Sequence, residues 1–108
     1  MINILSWVKK PKNNLFDQRS KDWKKVRALH ISKNPTCAAC GRSSKLEVHH
    51  IEPIHISPAK ELDENNLITL CDNPCHLAFG HLFNYKSWNP DVKKDCESFL
   101  EKVKNRPI

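Results

Sequence analysis

The chain has 108 residues, 39% of them apolar, with only two glycines and a formal charge of +6. That length allows one small domain with too little core to stand on burial alone, so a metal staple is expected. No stretch approaches the roughly 18 apolar residues of a membrane span, and an odd count of five cysteines with no signal peptide argues against a secreted disulfide framework. We expect a soluble, cytoplasmic protein.

The charge is uneven along the chain. Residues 1–45 carry eleven Lys and Arg against Asp17 and Asp22, whereas residues 46–108 carry seven against ten acids. The basic half suggests a polyanionic partner, and nucleic acid is the commonest. Residues 1–19 mix Ile2, Ile4, Leu5, Trp7 and Val8 with Lys9, Lys10 and Lys12, and Pro11 stops any helix there. They read as a basic tail, or as an arm lying along phosphates; residues 20–108 then form a single domain.

Ser20 is placed to cap a three-turn helix ending near Asn34-Pro35. Trp23, Val26 and Ile31, helped by Leu29 and His30, give it a ragged apolar stripe, with Lys21, Lys24, Lys25 and Arg27 on the other face. Cys37-x-x-Cys40-Gly41 then has the spacing of a zinc knuckle. Cys71 and Cys75 supply a second pair, one residue wider and with Pro74 in the turn, so four thiolates are available for one structural zinc. Lys45–Ile51, closed by Pro53, and Leu67–Leu70 read as two short strands joined by a loop that holds His55 and Pro58. A helix is expected from Pro74 or Cys75, weakened at Gly80. A last helix is expected over about residues 90–104, with Asn89-Pro90-Asp91 at its start and proline in its first position. Val92, Cys96, Phe99, Leu100 and Val103 share one face of that helix, so Cys96 reads as core and not as a zinc ligand.

Two strands followed by a helix bring His49, His50 and His76 around one cleft. Imidazole is both a common metal ligand and a base suited to neutral pH. Phosphodiester hydrolysis needs a group that deprotonates water and a cation that stabilises charge on the phosphate, and these histidines can divide those roles. One tension is internal to the sequence. Neighbours on a strand point to opposite faces, so His49 and His50 share a site only if the strand bends or ends there.

Taken in order, Cys37-x-x-Cys40, His49-His50-Ile51-x-Pro53, Asn66-Leu67-Ile68-Thr69-Leu70-Cys71 and Cys75-His76 resemble the HNH endonucleases of the four-cysteine zinc subtype. The basic helix before them and the segment from Gly80 to Pro90 are similar to small HNH proteins of phage genomes. The resemblance implies an α+β fold with a small ββα-metal, treble-clef-like core over residues 37–81, flanked by N- and C-terminal helices. It implies a metal-dependent DNA endonuclease, with phage DNA-processing or packaging proteins as further partners and no membrane.

The same resemblance implies His50 as general base and Asn66 as the residue that ties the loop and orients that base. His49 and His76 would hold one catalytic divalent ion (Mg, Mn, Ni or Zn), and Cys37, Cys40, Cys71 and Cys75 the structural zinc. His81 follows His76 by five residues, about 140° around a regular helix, so it joins the metal only if the helix is distorted near Gly80. Lys21, Lys24, Lys25, Arg27 and Lys86 are the candidate DNA contacts, with Tyr85 and Trp88 either at DNA or on the core. A zinc-stapled module that binds DNA without cutting it is the alternative, and a zinc-stapled protein-interaction module a third reading.

Overall fold

The structure, a computed structural model, describes residues 20–107. The expected basic tail of residues 1–19 lies outside the described residues. An N-terminal helix α1 (Trp23–Lys33) leads into an antiparallel pair, β1 (Leu46–His50) and β2 (Leu67–Cys71). A short wide helical segment (His76–Gly80) follows, and α2 (Val92–Lys104) closes the chain. This is a small α+β fold around a two-stranded sheet.

The register of the pair sorts the two adjacent histidines. His49 lies opposite Ile68 and His50 opposite Leu67, and no bend interrupts the ladder between them. Side chains alternate across a strand. Glu47 and His49 therefore share a face with Ile68 and Leu70, while Val48 and His50 share the other with Leu67 and Thr69.

Helix α1 covers the His50 face. Its Trp23 ring lies 4.6 Å from the His50 ring, centre to centre, and the Arg27 guanidinium donates to the Leu46 carbonyl at 3.5 Å. The expected Ser20 cap is corrected. Ser20 Oγ accepts from the Asp22 N–H two residues before the helix, and Asp22 takes the cap position without a side-chain bond. Ser20 instead anchors the helix start to the inter-strand loop, its N–H donating to Glu61 at 2.8 Å. Leu29 is 51% exposed and adds nothing to the apolar stripe, whereas His30 is buried. Pro35 disfavours helical geometry at Asn34, which leaves the α region at φ −131°, ψ 74° and ends the helix.

The His49 face carries the core. Ile68 and Leu70 meet Val92 and Cys96 of α2, together with Ala39, Cys37 and Cys75, and Cys71 at the end of β2 joins the same cluster. α2 begins at Val92, two residues later than the Asn89-Pro90-Asp91 pattern predicts. Asn89 is spent elsewhere: its side-chain amide donates to the Phe79 carbonyl and to Asp95, and its oxygen accepts from the Asp91 N–H. Pro90 thus precedes the helix instead of opening it. The expected α2 stripe is otherwise in place, with Val92 and Cys96 fully buried and Phe99, partly exposed, set against Phe79 at 5.1 Å. Few large apolar side chains are fully buried, so the four clustered cysteines carry much of the task of holding β2 to the Cys37–Cys40 turn. Among the described residues no helix is long and apolar enough to cross a membrane.

Candidate metal centres

The four cysteines form one cluster, with their sulfurs all within 4.8 Å of one another. Cys40 Sγ and Cys71 Sγ are 3.9 Å apart. A tetrahedral zinc with bonds of about 2.3 Å sets its sulfurs about 3.8 Å apart, whereas a disulfide needs about 2.0 Å. The cluster therefore fits a structural zinc. Local geometry builds it from two turns. In the first, the Gly41 N–H donates to the Cys37 carbonyl at 2.9 Å, and Gly41 takes φ +82°, which other residues adopt at a cost. The second carries Cys71 at the end of β2 and Cys75 across a cis Asn73–Pro74 peptide.

Electrostatics in the cluster favour a first thiolate on Cys37. Burial pushes this thiol up, but backbone N–H groups of Cys40, Cys71 and Ala39 outweigh it and bring it down to about 7. Burial, with the neighbouring thiols, pushes Cys40 and Cys75 up, so full deprotonation needs a cation. Cys96 is pushed up to about 12 by burial and by Cys37, and it lies outside the cluster as a core thiol.

The second centre consists of His49, His76 and His81, with one nitrogen from each mutually within 4.8 Å. The five-residue spacing is resolved by the backbone. His76–Gly80 is a π-helical segment, whose hydrogen bonds close five residues apart instead of four. His81 is thereby returned to the face of His76, with ring centres 4.9 Å apart. Asn89 caps the wide turn, its N–H donating to the Gly80 carbonyl and its side chain to that of Phe79.

Hydrogen bonds fix the proton on two of the three rings. His76 Nδ1 donates to the Glu47 carboxylate at 2.7 Å, and His81 Nδ1 donates to the Ser87 carbonyl at 2.8 Å. Both acceptors lack protons, so the neutral form of each ring presents its lone pair on Nε2. His76 Nε2 lies 3.1 Å from His49 Nδ1. Two nitrogens on one ion at about 2.1 Å are about 3.0 Å apart at a right angle and about 3.4 Å in a tetrahedron. The triad fits a divalent cation by that spacing. Burial, followed by the charges of His76 and His81, pulls His49 down to about 3, and burial is also the main cause lowering His81. Both rings are therefore neutral near pH 7, the form in which imidazole ligates.

Gly80 is required by the same packing. A Cβ there would lie 3.0 Å from Cε1 and Nδ1 of His49. Glu47 was not among the residues expected from sequence. The signal was available, because it stands two residues before His49 and so on the same strand face.

His50 is not in the triad. It lies on the opposite face, with its Nε2 donating to the Glu61 carbonyl at 2.9 Å beneath Trp23. That bond places the lone pair of the neutral ring on Nδ1. Asn66 clasps the loop that supplies the carbonyl: its oxygen accepts from the Glu52 N–H at 2.8 Å, and its amide donates to the carbonyls of Glu52 and Lys60. Asn65 donates its backbone N–H to the Asp63 carboxylate. Lys21, Lys24, Lys25 and Lys86 are exposed, whereas Arg27 is half-buried at Leu46. His55 is an exposed loop residue, Trp88 is half-buried, and Tyr85 is 64% exposed with its ring 4.9 Å from that of His81.

A β-pair followed by a helical turn, carrying one four-thiol cluster and one three-imidazole cluster, is consistent with a ββα-metal core. Residues 37–81 match the family model described as HNH endonuclease. No curated protein and no solved structure matches the chain.

Proposed function

We propose that the protein is a metal-dependent endonuclease that hydrolyses DNA phosphodiester bonds. The imidazole triad is the observation that carries this reading. A domain stapled by four cysteines needs no second cluster of histidines with their ring nitrogens converged, and a module that only binds DNA has no use for one.

In this reading His49, His76 and His81 hold one divalent ion. When bound, that ion supplies Lewis-acid stabilisation of charge on the scissile phosphate and the departing 3′ oxygen. Three imidazoles favour Ni or Zn, and accept Mn, over Mg, which prefers oxygen donors. Glu47 keeps the proton of His76 on Nδ1 and holds the ring in place. The HNH resemblance assigns His50 the proton of the attacking water, taken at Nδ1, a role that requires the scissile phosphate to sit at the end of β1, where the faces of His49 and His50 meet. His50 is held for that task by the Glu61 carbonyl, and Asn66 keeps that carbonyl in place by fixing the loop on both sides. The products are a 5′-phosphate and a 3′-hydroxyl. The four-cysteine site takes no part in the chemistry and holds β2 to the knuckle. Exposed lysines of α1 supply phosphate contacts without base preference.

Supercoiled-plasmid conversion separates this from the binding-module alternative. Zinc-loaded protein is incubated with plasmid and Ni, Zn, Mn or Mg in turn, beside a gel-shift measurement. Nicked or linear product with at least one ion is expected. A protein that shifts the plasmid but converts it with none of them is a DNA-binding module and not an enzyme.

A further inference from the structure

The turn that follows His81 displays apolar side chains where packing gives them no cover. Leu82, Phe83 and Tyr85 are 53%, 73% and 64% exposed. Leu82 and Phe83 also sit at φ +54° and +67°, consecutive non-glycine residues in the left-handed region. Such geometry is sparsely populated and persists only where surroundings enforce it. Here the enforcement is dense. Phe83 N–H donates to the Leu77 carbonyl and Asn84 N–H to that of His81. Ser87 Oγ donates to the His81 and Asn84 carbonyls, and the Asn84 side chain accepts from the Lys86 N–H. A rigid loop thus holds a phenylalanine out into water beside the triad.

Its place narrows what it can meet. The Tyr85 ring lies 4.9 Å from the His81 ring and 6.3 Å from that of His76, so the turn is continuous with the candidate metal centre. Lys86 on the same turn adds a cation suited to a phosphate. A phosphate engaged at the triad carries its sugar and base within a few ångströms, toward whatever borders the site. Aromatic side chains stack on unpaired bases, and apolar ones wedge between base steps.

We propose that Phe83, with Leu82 and Tyr85 on the same turn, is a wedge that enters the base stack next to the scissile phosphate. The preferred substrate is then DNA whose stacking is already weakened at that step, such as a bulge, a flap or a junction. The proposal rests on the nuclease reading for the site it borders.

The test uses full-length, zinc-loaded protein, with Phe83→Ala and Phe83→Trp. Cutting is compared on a fully paired duplex and on the same duplex with a two-nucleotide bulge at the cut step. Phe83→Ala is expected to slow cutting of the paired duplex by about five- to a hundredfold, the range one base–aromatic stack is worth. Cutting of the bulged duplex should change by less than about twofold, and Phe83→Trp should restore the paired duplex. Equal losses on both substrates, or none on either, overturn the proposal. A second reading does not depend on cutting: a duplex with 2-aminopurine beside the step brightens on unstacking. If wild type cuts nothing, the nuclease reading has failed. Brightening with wild type that disappears with Phe83→Ala then still supports the wedge, and an equal signal from both overturns it.

Discussion

Gly80→Ala tests whether the triad is packed as tightly as its geometry indicates. The new methyl would stand 3.0 Å from two ring atoms of His49 and 3.1 Å from a third. That ring is 4% exposed, so it cannot swing into solvent. Overpacking of this kind costs about 1–3 kcal/mol. Alanine recovers about 1 kcal/mol of the conformational cost of glycine in a helix. The net loss is about 0–2 kcal/mol, or up to roughly 10–15 °C in melting temperature for a domain this small. The larger effect falls on the metal, because a displaced His49 ring no longer meets His76 Nε2. We expect nickel to bind the triad about 10–100-fold more weakly, as when orienting groups are lost. Calorimetric titration of zinc-loaded protein with nickel, beside thermal melts, measures both. Gly41→Ala is the control. Its nearest neighbour would be Leu100 Cδ1 at 3.7 Å, and its φ of +82° makes the cost one of backbone, so stability falls while nickel affinity holds. A Gly80→Ala protein with wild-type melting and nickel affinity would refute the reasoning.

Other outcomes follow from the two centres. Glu47→Gln removes the carboxylate that holds His76, and nickel affinity should fall about 10–100-fold with zinc content unchanged; unchanged affinity would show the 2.7 Å contact to be incidental. Cys71→Ser, or removal of zinc by a strong chelator, should unfold the domain by circular dichroism, since metal binding is folding free energy here; a folded zinc-free protein contradicts this. The His49 proton gives a pH dependence. Its folded value of about 3 lies below the unfolded 6.5, so between these the unfolded chain binds more protons and stability drops as pH falls. With the triad free of metal, the slope is up to about 1.4 kcal/mol per pH unit. His49→Asn should flatten the curve in that window, and parallel wild-type and variant curves would count against the burial of a neutral ring.

Much of this site was legible in residue order, for physical reasons that differ by residue. The cysteine spacings declare a tetrahedral sulfur site because two tight turns leave four thiols few other uses. Strand alternation alone requires His49 and His50 to part, and the observed register parts them without a bend. The place of His81 was beyond a rule of 3.6 residues per turn, because the π turn is set by contacts from far along the chain, notably Asn89 on the Gly80 and Phe79 carbonyls. The capping expectations at Ser20 and Asn89 failed for a shared reason. Both residues bond to groups outside their helix, Glu61 in one case and Phe79 in the other, and tertiary partners override local capping. Glu47 was hidden only because acidic residues on exposed strands are common.

The central claim is a division of labour, with the cysteines holding the fold, the triad holding the ion and His50 moving the proton. His50→Ala isolates the last part. Single-turnover cutting of DNA is measured with wild type and variant, together with zinc content and nickel affinity on the same preparations. Cutting is expected to fall about 10²–10⁴-fold with both metal measurements unchanged. Undiminished cutting would contradict the division of labour, and so would a loss that tracks disappearance of the triad metal.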